Sequence, residues 1–210
     1  MGCDIHLKLE KRLKTSRVFL DDNEKIREAY YESMKNKWYP CEITRRHCWG
    51  ERIYGMFAKL ANVRNYWPDE IKPLEVRGFP EDANDNTLLA YCFQVIPDDE
   101  YEENIDRYDR LSAYGDEHYC GKSQCDRWVE NGSSKVMGEK FGRTLISGPD
   151  WHSASWCTAE EMKQAVKDVF YHEGEGWKGE YIEWLALAGA MEAIESDGNY
   201  ECRAVFWFDS

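Results

Sequence analysis

The chain opens on a strict alternation. Cys3, Ile5, Leu7 and Leu9 are apolar, and Asp4, His6, Lys8 and Glu10 between them are polar. That period of two predicts a strand over 3–11 with one buried face. The last residues repeat it, with Cys202, Ala204, Phe206 and Phe208 set between Arg203, Val205, Trp207 and Asp209, and predict a strand over 203–209. Between the two strands the period changes to that of a helix. Ile26, Ala29, Tyr30 and Met34 predict a helix over 22–36, with acidic residues in its first turn. Tyr54, Phe57, Leu60 and Ala61 predict a second over 52–65. Thr158-Ala159-Glu160-Glu161 is a capping box, and Met162, Ala165, Val166 and Val169 behind it mark a third helix. Tyr181, Trp184, Leu185, Ala188 and Met191 mark a fourth over 180–195, which Asp197-Gly198 breaks.

The middle is less regular. Leu88–Ile96 fits either a strand or a short buried helix, and Pro97–Tyr108 is an acidic, exposed stretch. Residues 81–147 therefore look like an insertion into one globular domain spanning 1–210. The expected architecture is α+β: a small, mostly antiparallel sheet that includes paired N- and C-terminal strands, packed with about four helices.

Composition narrows the function. Of 210 residues 42% are hydrophobic and 14% aromatic, including 9 Trp, too many for a disordered chain. Twenty-seven basic against 40 acidic residues give a net charge of −13. Such a field repels polyanions and disfavours non-specific binding to nucleic acid or to an anionic membrane. A small anionic ligand in one locally positive pocket, or a host protein, remains as a partner. No apolar run of 18 residues is present, and residues 1–6 lack the basic start and apolar stretch of a signal peptide. The expected location is the cytoplasm, where the eight cysteines are thiols or metal ligands rather than disulfides.

Two Asp-x-His pairs are the candidate chemistry. Asp4 and His6 would project from one face of a strand, about 7 Å apart along it. Asp150 and His152 repeat the spacing in a turn ahead of the capped helix, beside Ser153, Ser155 and Trp156. Together they offer two imidazoles and two carboxylates, a set suited to one divalent metal such as zinc or manganese, or to iron. They also offer a histidine base near a hydroxyl nucleophile, Ser153 or Ser155. The plainer alternatives are a surface pair on the solvent face of β-structure, and a histidine and serines that satisfy a helix entrance. Arg64-Asn65, Arg77 and Arg203 suit an anion, or else ion pairs with the chain's own acids. Cys41 and Cys48 with His47, and Cys120 and Cys125 with His118, are spaced too widely for a zinc knuckle, and whether they share a zinc is open. Cys3, Cys92, Cys157 and Cys202 are small core residues. Trp67, Trp151 and Trp177 fall in loop contexts where a ring could line a pocket. No nucleotide-cofactor motif, phosphate-binding Gly-rich loop, Gly-x-Ser-x-Gly elbow or His-Glu-x-x-His helix is present.

Five ordered blocks resemble a family of phage and prophage proteins whose members open with Met-Gly-Cys-Asp-Ile-His. The blocks are that opening, Arg52-x-Tyr54-x-x-Phe57-Ala58-x-Leu60-Ala61-x-Val63-Arg64-Asn65, Arg77-Gly78-Phe79-Pro80, His152-Ser153-x-Ser155-Trp156-x-Thr158, and Arg203-x-Val205-Phe206-x-Phe208-Asp209. They run from one terminus to the other, so the resemblance covers the domain except residues 81–147. The resemblance implies phage origin, the cytoplasm of an infected bacterium and a single domain; it brings no activity with it. Its polar positions coincide with Asp4, His6, Arg64, Asn65, Arg77, His152, Ser153, Arg203 and Asp209.

Three readings follow. The first is a metal-dependent hydrolase of a small phosphoester or nucleotide-like substrate. In it Asp4, His6, His152 and Asp150 hold the metal, a metal-bound water or Ser153 attacks, and Arg64, Asn65, Arg77, Arg203 and Trp156 bind substrate. The second is a non-catalytic binder or inhibitor of a host defence component, with an acidic surface that imitates nucleic acid. The third is an assembly role through the aromatic-rich ends.

Overall fold

The alternation at the two ends becomes a single antiparallel pair in a computed structural model, which describes residues 3–41, 52–113, 118–173 and 181–209. Strand β1 (Ile5–Leu13) and the last strand, β8 (Tyr200–Phe208), run in unbroken register from Ile5↔Phe208 to Leu13↔Tyr200. The short β2 (Tyr39–Pro40) flanks β1 and β7 (His152–Thr158) flanks β8, giving the order β2-β1-β8-β7. Cys3, Ile5, Leu7 and Leu9 of one terminus meet Cys202, Ala204, Phe206 and Phe208 of the other in one core. Each large side chain buried there contributes about 1.5–3 kcal/mol.

Three helices close that core: α2 (Tyr54–Ala61), α7 (Ala159–Glu173) and α8 (Tyr181–Glu195). Helix α2 ends because Asn62 turns left-handed at φ 57° and gives its N–H to the carbonyls of Ala58 and Phe57, a conformation asparagine tolerates better than most residues. Helix α7 begins at the predicted capping box. Glu161 N–H donates to Thr158 Oγ1 at 3.2 Å and Thr158 N–H donates to the Glu161 carboxylate at 2.9 Å. Met162, Ala165, Val166 and Val169 are all buried as their spacing predicts. In α8 the stripe runs through Tyr181, Trp184, Leu187, Ala188 and Met191, and Leu185 faces outward at 48% exposure. Lys59 is the one charged residue on the buried side of α2; its ammonium reaches the Lys72 carbonyl at 2.8 Å and Asp168 at 2.7 Å.

Helix α1 (Glu24–Met34) overturns the expectation carried by its stripe. It buries no residue, and Ile26 and Tyr30 are 45% and 56% exposed. An apolar stripe ordinarily faces the core. Here the half-buried side carries Arg27, Tyr31 and Met34; the Tyr31 hydroxyl donates to the Lys14 carbonyl at 3.0 Å, and Glu28 bonds the buried Ser16 hydroxyl.

The described chain gathers into two units, one of residues up to Asn84 with Ser153–Phe208, the other of Asp85–His152 with the residues after Phe208. The second unit has its own sheet, so the expectation of a single sheet is corrected to two four-stranded sheets. The expectation of about four helices becomes eight α-helices among the described residues. Helix α3 (Asp85–Tyr91) passes directly into β3 (Cys92–Ile96), so Leu88–Ile96 is helix and strand in succession. Its ambiguity in sequence had that physical cause. The acidic stretch after Pro97 folds as α4 (Asp98–Glu103) and α5 (Ile105–Ala113). Then come β4 (His118–Gly121), α6 (Lys122–Glu130) and the hairpin β5 (Lys135–Lys140) and β6 (Arg143–Ser147). The order is β4-β3-β6-β5, with β4 parallel to β3 and β6 antiparallel to it. Asp98 caps α6 from another element, accepting from Ser123 N–H at 3.1 Å.

Candidate functional site

The polar face of β1 is covered around Glu10, whereas the Asp4 side chain at its start stays 46% exposed. Glu10 is fully buried, and across from it on β8 Arg203, Val205 and Trp207 are 3%, 0% and 1% exposed. Register sets the pairs: Glu10 stands opposite Arg203, His6 opposite Trp207 and Arg12 opposite Glu201. Because strand neighbours of this kind lie about 5 Å apart, opposite charges and flat rings meet directly. The His6 imidazole stacks on the Trp207 indole, centroids 5.5 Å apart and 7° from parallel.

What covers this face is the segment Arg77–Asn84. Its backbone and side chains are anchored at five places. Arg77 N–H donates to the buried Ser155 hydroxyl at 3.0 Å, and its guanidinium donates to the Trp156 carbonyl at 3.2 Å. The same guanidinium holds both oxygens of Glu161 and lies 4.4 Å from the centre of the Trp156 ring. Phe79 packs edge-on against Trp207. Asp82 accepts from Arg203 at 2.7 Å and from the Trp38 indole at 2.9 Å. Asn84 gives two N–H groups to Glu10 Oε1, at 2.9 and 2.5 Å.

Arg203 is the centre of the arrangement. Its Nε donates to Glu10 Oε2 at 2.7 Å, Nη1 donates to Asp82, and its plane lies 4.0 Å from the centre of the Trp38 ring. Arg12 lies over the same ring at 4.6 Å and pairs with Glu201. Burial alone would raise the Asp82 carboxyl, but bonds from Arg203 and Trp38 and the nearby Arg12 charge hold it below its ordinary value. Glu161 is lowered chiefly by its bond from Arg77, with the Thr158 donors adding to it.

The remaining candidates fall elsewhere. Arg52 donates to both carboxylate oxygens of Asp4, at 2.5 and 2.9 Å, and that bonding is the main reason the Asp4 carboxyl is lowered. Arg64 sits past the end of α2 at φ 47°, its guanidinium 5.7 Å from the Tyr54 ring. Asn65 staples its loop, donating to Asn62 and to the Ile71 carbonyl and accepting from Trp67 N–H. The expected turn is present at Pro149–Asp150, but strand β7 starts at His152 and separates it from α7. Ser153, at φ 53°, therefore stands six strand residues before α7, roughly 20 Å from its first turn. Asp150 and His152 belong to the second unit, whereas Asp4, His6 and Ser153 belong to the first.

Among the described residues no group of three or more His, Cys, Asp and Glu is arranged to hold a metal. The seven described cysteines are all buried, and none is in a disulfide. Burial pushes the Cys92 and Cys120 thiols up to about 12, so both stay protonated. Cys41 lies in one unit and Cys120 and Cys125 in the other. His47, Cys48 and Trp177 lie outside the described residues. In the second unit Trp151 packs on Tyr91, Phe93 and His118. No described helix is long and apolar enough to cross a membrane.

Sequence reasoning found Arg77, Arg203, Ser155 and Trp156 but missed Glu10, Trp38, Asp82, Asn84 and Glu161 as their partners. The one signal available was an acidic residue facing an arginine once the terminal strands are paired in register. No protein-family model, curated protein or solved structure matches the chain.

Proposed function

We propose that the chain is a non-catalytic binding protein, of phage origin and acting in the host cytoplasm, that docks on a basic host component. The observation that carries this reading is the internal pairing of the reactive-looking groups. Arg52 is spent on Asp4, Arg77 on Glu161, and Arg203 on Glu10 and Asp82. A guanidinium already neutralised at contact distance has little attraction left for a substrate phosphate, and a carboxylate held by two N–H donors is a poor metal ligand. A metal-dependent hydrolase built on Asp4 and His6 would have to break the Arg52 fork first.

The partner's chemistry follows from charge. The net charge is −13, and Asp99, Glu102, Glu103, Asp106 and Asp109 are all exposed on α4 and α5. Such a surface speeds encounter with a cationic partner and repels nucleic acid.

The test sets the two chemistries against each other. The protein is loaded with zinc or manganese and assayed on a panel of phosphomonoesters and phosphodiesters, beside His6→Ala and His152→Ala. The expected result is no turnover above the variants. Separately, binding to a basic host protein recovered from infected cells should weaken with salt and with Asp99→Lys/Glu102→Lys/Glu103→Lys. Metal-dependent turnover that either histidine variant abolishes would overturn the binder and restore the hydrolase.

A further inference from the structure

Asp82 is held by side chains whose positions do not depend on it. The Arg203 guanidinium is fixed by Glu10 Oε2, 2.7 Å from both Nε and Nη2, and lies over the Trp38 ring. That leaves Nη1, which donates to Asp82 Oδ1 at 2.7 Å. Trp38 lies against two guanidiniums, Arg203 at 4.0 Å and Arg12 at 4.6 Å from its ring centre, and its indole N–H donates to Asp82 Oδ2 at 2.9 Å. Arg12, anchored by Glu201, brings a positive charge 4.0 Å from that second oxygen. Each oxygen of one planar carboxylate is thus met by its own donor, and other contacts keep both donors in place.

The carboxylate itself is the replaceable part. The Asp82 side chain is 54% exposed, against 4% for Arg203. Ala83 and Asn84 beside it are buried, so the side chain can turn out to water while the covering segment stays seated. Nη1 would then be an unpaired donor on a buried guanidinium, a costly state that another acceptor relieves. The other charges bonded into the arrangement balance, Arg12 and Arg203 against Glu10 and Glu201. Burial acts against a charge at Asp82, yet the bonds from Arg203 and Trp38 and the Arg12 charge hold its carboxyl below the ordinary value. The position therefore favours an anion even with both glutamates present.

We propose that Arg203, Trp38 and Arg12 form a carboxylate-binding site that Asp82 fills from within the chain, and that an outside carboxylate, free or carried on an acidic protein segment, takes its place when Asp82 turns out. This goes beyond the docking reading above and does not depend on it. Because Asp82 is tethered beside the site, it competes at a high effective concentration, and the outside ligand binds the parent more weakly than a chain lacking that side chain.

Acetate titrated into the full chain carrying Asp82→Ala, against chloride at the same ionic strength, tests the proposal. The Trp38 indole N–H resonance, assigned with Trp38→Phe, should shift to saturation in the variant, and the parent should need at least about tenfold more acetate. The urea midpoint gives a second reading that stands even where the variant is poorly folded. Acetate should raise it over chloride in Asp82→Ala and leave the parent unchanged, because a ligand of the folded chain alone stabilises it. A tetraglutamate peptide separates the two sources. Binding more than about tenfold tighter per carboxylate than acetate assigns an acidic protein segment, and anything weaker a small molecule. If acetate and chloride act alike on Asp82→Ala in both readings, or parent and variant respond equally, the site is overturned.

Discussion

Replacing Arg203 by Met removes a charge from the most buried ion pair in the described chain while keeping a side chain of similar length. Glu10 is then left as a fully buried carboxylate with only the two Asn84 donors. Breaking a buried pair by removing one partner costs about 3–5 kcal/mol, because the surviving charge stays desolvated. Loss of the contact with Trp38 adds to this, since the guanidinium lies 4.0 Å from that ring. Against a total stability of about 5–15 kcal/mol this is a large share. For a domain of this size it corresponds to a fall in melting temperature of roughly 6–20 °C. The decisive comparison is Arg203→Met/Glu10→Gln. Glutamine keeps an oxygen for Asn84 and carries no charge, so the double variant should recover most of the loss. Urea titration followed by tryptophan fluorescence measures both variants against the parent. If Arg203→Met costs less than about 1 kcal/mol, or if adding Glu10→Gln recovers nothing, the pair is not the clasp described here.

Three further outcomes follow from the same structure. The carboxyls of Asp4, Asp82 and Glu161 are all lowered in the folded chain, so the unfolded chain takes up their protons first and acid favours unfolding. Their contribution is complete above the ordinary carboxylate range and is lost as pH falls through the lowered values. The urea midpoint should therefore drop on acidification, and less steeply in Asp82→Asn and Glu161→Gln. Gly148→Ala would set a Cβ 2.7 Å from Trp151 Cε2; the ring must move, and the second unit should lose about 1–3 kcal/mol in a thermal melt. The β5–β6 hairpin turns on Phe141 and Gly142 at φ 58° and 71°, a turn that prefers Asn-Gly. Phe141→Asn should therefore stabilise the second unit by roughly 1 kcal/mol.

Most of the first unit was legible because its elements are amphipathic in the ordinary sense. Period two at both termini, period 3.6 behind the Thr158 capping box, and their shared apolar side carry enough information to pair the end strands and to place α7 and α8. The second unit was not legible for three different reasons. Helix α3 passes into β3 without a turn residue between Tyr91 and Cys92, so a single apolar run holds two periods. Helices α4 and α5 keep much of their surface exposed, so no sustained apolar stripe announces them. The hairpin places a phenylalanine where turn chemistry asks for asparagine or glycine. Helix α1 misled for the opposite reason: its stripe is present, but Ile26 and Tyr30 face outward while the half-buried side carries Arg27, Tyr31 and Met34.

The candidate site failed to be legible for a deeper reason. Alternation reports that two faces of a strand differ; it does not report that the polar one is wet. Glu10 and Lys8 look alike in the pattern, yet Glu10 is fully buried and Lys8 only half-buried. The difference lies about 70 residues away, in Asp82 and Asn84, and almost 200 residues away, in Arg203. A buried carboxylate of this kind is stable only when every one of these partners is present. The conjunction of arginines, acids and tryptophans that suggests a reactive cleft in sequence is therefore also what a sheet needs to bury a charged face under a covering segment. Residue types alone do not separate the two. What the structure adds is the pairing itself: Arg77 is turned on Glu161, and Arg203 on Glu10 and Asp82 through Nε and Nη1.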